Sequence, residues 1–104
     1  MKQVLLLITT ENNKKGAKKM AKLLLKKKLA SCVSLKKIYS IYEWEGNIEK
    51  LNEVEITIKS KPELKNDLII FLKKISSYDL PQIIYKKFNS ETKYLNWVYK
   101  SISN

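Results

Sequence analysis

Residues 3–10, QVLLLITT, form an unbroken apolar run ending in β-branched side chains, the pattern of a strand buried on both faces. Either Asn12 or Asn13 is placed to cap a following helix. In that helix Ala17, Met20, Ala21 and Leu24 share one stripe, while Lys15, Lys18, Lys19, Lys22 and Lys26 lie elsewhere and read as its solvated side. Residues 31–44, SCVSL and IYSIYEW with two lysines between, are rich in β-branched and aromatic side chains and predict one long extended segment. Glu45-Gly46-Asn47 supplies a turn in which Gly46 takes positive φ. EVEITIKS (53–60) alternates Val54, Ile56 and Ile58 with Glu55, Thr57 and Lys59, as a strand with one wet face does. Residues 31–60 therefore predict a β-hairpin.

Pro62 suits the first turn of the next helix, where its missing N–H costs little. Leu64, Leu68, Phe71, Leu72 and Ile75 give that helix its apolar stripe, and Ser76 and Ser77 end it. Pro81 opens QIIYKKF (82–88), read as the last core strand. Asn89 or Ser90 is placed to cap a terminal helix with Leu95, Val98 and Ile102 on one side. Tyr94, Trp97 and Tyr99 spread around the same helix, a surplus of rings that fits either the edge of a core or burial against another subunit.

The order is β-α-β-β-α-β-α. The fold class is thus α+β, a ferredoxin-like βαββαβ sandwich with an antiparallel sheet and an extra C-terminal helix. At 104 residues, 1–104 is expected to be a single domain.

Composition narrows the chemistry. The net charge is +11, from 21 basic and 10 acidic residues, which favours acidic partners or nucleic acid. Every basic residue is lysine, however, so the bidentate forks that read guanine or grip phosphate are missing. A base-stacking RNA module of this topology wants aromatics on its third strand, and EVEITIKS has none. The chain contains no histidine, so neither Ser-His nor Cys-His pairing is possible, and with two glycines it has no phosphate-cradling loop. A non-enzymatic protein is expected. Cys32 is the single cysteine, which excludes an intrachain disulfide and fits a reducing compartment. VLLLI is too short for a signal-peptide core or a membrane span, so the expected location is the cytoplasm, with no membrane partner.

At the hairpin, IYEWEGNIEKLNEVEITIKS resembles the Y-x-W-x-G-x-I…E-V…I-K segment of the CutA family of divalent-cation tolerance proteins. LASCVSL (29–35) is similar to that family's L-A-A-C-V-N-I, SSYDLPQII (76–84) to its H-P-Y-D/E-x-P-E-I/L, and YLNWVYKSI (94–102) to its Y-L-x-W-L/I. Four motifs in order span effectively the whole chain. The resemblance implies a homotrimer like that of the PII signalling proteins, in which the long hairpin reaches across to neighbouring subunits. It also implies a role in tolerance of, or response to, divalent cations such as copper, with no required cofactor and no established reaction. A basic nucleic-acid-binding module of the same topology is the competing reading.

The resemblance assigns residues as well. Cys32 matches the family cysteine and is a soft ligand suited to copper, although an alternating strand also accommodates it as a small apolar side chain. Lys59 matches a lysine facing the intersubunit cleft, where it is placed to attract an anion or simply to keep the surface soluble. Glu53 is placed to pair with it or to serve a metal, a solvated carboxylate being the simpler reading. Tyr78, Asp79 and Gln82 map onto the cleft loop, and Tyr42 and Trp44 onto the trimer interface. Ser76 stands where the family pattern has histidine and Gln82 where it has glutamate. Without imidazole and carboxylate there, copper is expected to bind weakly at most.

Overall fold

A computed structural model describes residues 2–103, so the two terminal residues of the expected domain lie outside the described residues. The opening apolar run is strand β1, Val4–Glu11, followed by helix α1, Lys14–Lys26. Asn13 is the residue that caps α1, its side chain accepting from the Gly16 N–H at 2.7 Å. The hairpin consists of β2, Cys32–Trp44, and β3, Asn47–Ser60. A 3₁₀ turn, Pro62–Leu64, leads into α2, Lys65–Ile75, and β4, Ile84–Phe88, precedes α3, Thr92–Ile102.

The sheet order is β2-β3-β1-β4 and every neighbouring pair is antiparallel, as the ferredoxin-like topology requires. Opposite residues in the register share a face. Leu5 and Leu7 of β1 thus join Val54, Ile56 and Ile58 of β3 beneath Ala17, Met20 and Leu24 of α1 and Leu68 and Leu72 of α2. The other face is covered at one end only, where Val98 and Ile102 of α3 pack on Val4. β1 is therefore enclosed on both faces at Val4, while Leu6 and Ile8 on the second face are only partly buried, so its apolar run overstates the cover.

Three details differ from the sequence expectation. The hairpin turn contains only Glu45 and Gly46, with φ of 50° and 82°, and Asn47 already belongs to β3. Two successive positive φ values match the right-handed twist of the flanking strands. β4 starts at Ile84, and all five of its residues are exposed, so it is not a core strand: it pairs on one side alone and completes the sheet from outside. Glu91, not Asn89 or Ser90, caps α3, accepting from the N–H groups of Lys93 at 3.0 Å and Tyr94 at 2.9 Å. Asn89 is occupied elsewhere, its side chain accepting from Gln3 Nε2 at 3.0 Å. The Glu91 carboxyl is held below its ordinary range by those two backbone donors.

Candidate functional site

On the face that carries α3, the far end of the sheet is left open. There Thr10, Ser40, Tyr42, Trp44, Glu53, Ser77, Tyr78, Asp79, Leu80 and Gln82 line a cleft of about 630 Å³, a size that suits a small molecule. The loop between α2 and β4 forms one wall. Ser76 stops α2 by leaving helical geometry, with ψ of 143°, while its side-chain oxygen accepts from the Tyr78 N–H at 3.1 Å.

From there the loop passes over the end of β1 and is fastened on both sides. On the face of α1 and α2, Ser77 donates to Glu11 Oε1 from its backbone N–H at 3.2 Å and also from its hydroxyl. On the opposite face, the Tyr78 hydroxyl donates to Glu53 Oε1 at 2.9 Å. Glu11 is only 4 % exposed, and the two Ser77 bonds compensate part of the cost of burying its carboxylate. Successive side chains thus grip opposite faces of the sheet.

Burial pushes the Tyr78 phenol well above its ordinary value, and the hydrogen bond to Glu53 and the negative charges of Glu53 and Glu11 push it the same way. It is accordingly a neutral donor at physiological pH. A raised folded-state pKa stabilises the fold below the free phenol value of about 10, and that contribution is lost as pH rises from there towards the folded value. Alkaline titration followed by tyrosinate absorbance is expected to contain a late-ionising phenol that disappears in Tyr78→Phe. An unchanged late phase in that variant would remove Tyr78 from this role.

The structure divides the residues singled out in the sequence into two groups. Tyr42, Trp44, Glu53, Tyr78, Asp79 and Gln82 meet in the cleft. Lys59 and Cys32 do not reach it; they oppose each other near the other end of the sheet. Lys59 lies six residues along β3 from Glu53, about 20 Å at strand rise, so the two cannot form an ion pair within the chain. Its ammonium instead sits 5.7 Å from the centre of the Tyr94 ring. Glu53 takes Tyr78 as its partner. Cys32 is a half-buried free thiol.

Glu11 and Ser77 fasten one wall of the cleft to the sheet, a pairing that the sequence pattern did not single out. The donors in the cleft are carboxylate, phenol, hydroxyl and amide oxygen, with no imidazole or thiolate. Such a set does not fit a tightly held copper ion within one chain. Among the described residues, no three His, Cys, Asp or Glu side chains converge on a common position.

Comparison with known proteins places the whole molecule in one group. The family described as CutA1 divalent ion tolerance protein matches residues 5–101. A divalent-cation tolerance protein CutA of Pyrococcus horikoshii is 35 % identical over 78 residues, 74 % of this chain and 76 % of its own length. Protein CutA of Mus musculus is 37 % identical over 84 residues, 76 % of this chain. The chain spans about half the length of the curated vertebrate relatives it matches, 57 % of the Danio rerio protein and 48 % of the mouse protein. The crystal structure of CutA1 from Ehrlichia chaffeensis superposes with a TM-score of 0.94 at 30 % identity, covering 100 % of this chain and 99 % of that one. These likenesses give no support to a nucleic-acid-binding module.

Proposed function

The chain belongs to the CutA1 divalent ion tolerance protein family, and from that premise we propose that it acts as a non-enzymatic, PII-like homotrimer in the response to divalent cations such as copper. The observation that carries the assembly is the outer part of the hairpin. Tyr39, Ile41, Tyr42, Trp44 and Ile48 are all substantially exposed there, and a small protein does not leave so many large apolar side chains together in water without a surface to cover them. Tyr42 and Trp44 serve both as wall of the cleft and as part of that contact. The cleft holds a small ligand, and copper has at most a weak site that depends on Cys32. The free thiol suits a reducing cytoplasm.

Light scattering at low and high salt tests the assembly: a trimer mass at both is expected, while a monomer that changes mass only with RNA would overturn it. Copper titration tests the ligand assignment. No tight site is expected to survive Cys32→Ala, and nanomolar binding retained in that variant would show that other residues hold the metal.

A further inference from the structure

The lining of the cleft has an unusual charge for this protein. At the chain's own frequency of 21 lysines in 104 residues, a ten-residue lining would hold about two, yet the part of the lining that one protomer supplies contains no basic side chain. It has instead two carboxylates, Glu53 and Asp79, and three aromatic residues, Tyr42, Trp44 and Tyr78. A third carboxylate, Glu11, lies behind the wall and is held by Ser77. Carboxylates beside aromatic faces in a concave, partly desolvated space attract a cation that also has apolar surface to bury.

Bare divalent ions are served poorly, because they need several oxygen ligands at close and regular distances and no third carboxylate converges here. A cation carrying its own N–H donors needs less. The Tyr78 hydrogen bond uses Oε1 of Glu53, which leaves the carboxylate with further acceptor capacity for an incoming N–H, and the neutral phenol adds no competing charge.

We propose that the cleft is a site for a small organic ammonium ion, its charged head against Glu53 and its aliphatic part among Tyr42, Trp44 and Tyr78. This rests on the reading of the cleft as a ligand site and names the class of ligand. The surrounding positive charge sharpens selection: a small cation finds net repulsion over most of the surface and attraction at this concavity, whereas an anion meets carboxylates on entering it.

The test uses the intact, assembled protein at low ionic strength, where charge selection is least screened. Three probes of matched size, n-butylammonium, n-butanol and n-butyrate, are titrated calorimetrically, with the Trp44 indole N–H followed by NMR. Saturable binding of butylammonium at least ten-fold tighter than either other probe is expected, with a shift of the Trp44 signal. Glu53→Gln, which preserves shape, is expected to weaken butylammonium at least ten-fold while circular dichroism and assembly mass stay unchanged. Asp79→Asn is expected to weaken it less, and the butanol affinity is expected to survive both changes. Equal affinity for butanol, preference for butyrate, or full butylammonium affinity in Glu53→Gln would each overturn the ammonium assignment while leaving a ligand cleft in place. Saturation by none of the three probes would overturn the assignment and the cleft reading together.

Discussion

Trp44→Ala is expected to lower the thermal unfolding midpoint of the assembled protein and to shift its mass from trimer towards monomer on dilution. The reason lies in how the hairpin is supported. β2 and β3 pair continuously from Cys32 opposite Lys59 to Trp44 opposite Asn47, but β1 joins them only along Val54–Ser60. Beyond that point residues 38–53 form a two-stranded ribbon with no third strand beside it, and in water such a ribbon is marginal by itself. The molecule is 45 Å long and only about 24 Å across, in keeping with a projecting arm.

Within one chain Trp44 stays 43 % exposed and Ile48 75 % exposed, so much of their apolar surface is still to be buried. Truncating a large aromatic that anchors an interface costs about 2–4 kcal/mol, enough to change the oligomer's concentration dependence visibly. Calorimetry and light scattering over a range of protein concentrations read both effects. An unchanged midpoint together with an unchanged trimer would mean that the arm does not hold the assembly.

Ile56→Ala is expected to cost about 2–5 kcal/mol of stability, independently of the interface. Ile56 is fully buried, paired between Thr9 and Leu35 and packed with the side chains beneath α1 and α2. The loss combines the removed apolar contact with the void left behind, since two interior strands and two helices cannot close over it completely. The contrast with Ile48→Ala in the same strand is informative, because that change should act through assembly alone. Denaturant unfolding at several protein concentrations separates the two, since dissociation makes apparent stability depend on concentration and core damage does not. A cost below about 1 kcal/mol for Ile56→Ala would contradict the packing described here.

The elements that could be read from sequence are those whose own side chains set their environment. Val54, Ile56 and Ile58 alternate because one face of β3 is wet, and Ala17, Met20 and Leu24 recur because α1 rests on the sheet. What could not be read depends on residues distant in the chain. QIIYKKF looks like a core strand by composition, but its exposure follows from an outermost place in the sheet, which local pattern does not encode. Asn89 is a better cap by propensity than Glu91, yet Gln3, 86 positions away, engages it.

The cleft was legible in the same uneven way. Tyr78, Asp79 and Gln82 sit in a recognisable motif and do line it, and so do Tyr42, Trp44 and Glu53. Lys59 and Cys32 belong to equally recognisable motifs, but the register carries them to the other end of the sheet. Glu11 was hidden because a carboxylate closing a strand reads as solvated. Only the folded loop brings Ser77 to it.

The two outermost strands share one further property. Each carries an adjacent lysine pair along its unpaired border, Lys36 and Lys37 in β2 and Lys86 and Lys87 in β4. In β4 that pair interrupts Ile84, Tyr85 and Phe88, which would otherwise make a short, sticky β segment. Charged borders discourage a strand from recruiting stray chains into open-ended β stacking, the hazard that any newly synthesised protomer faces before it meets its partners. Part of the lysine excess is thereby placed where gatekeeper charges are most useful, at the two open edges of the sheet.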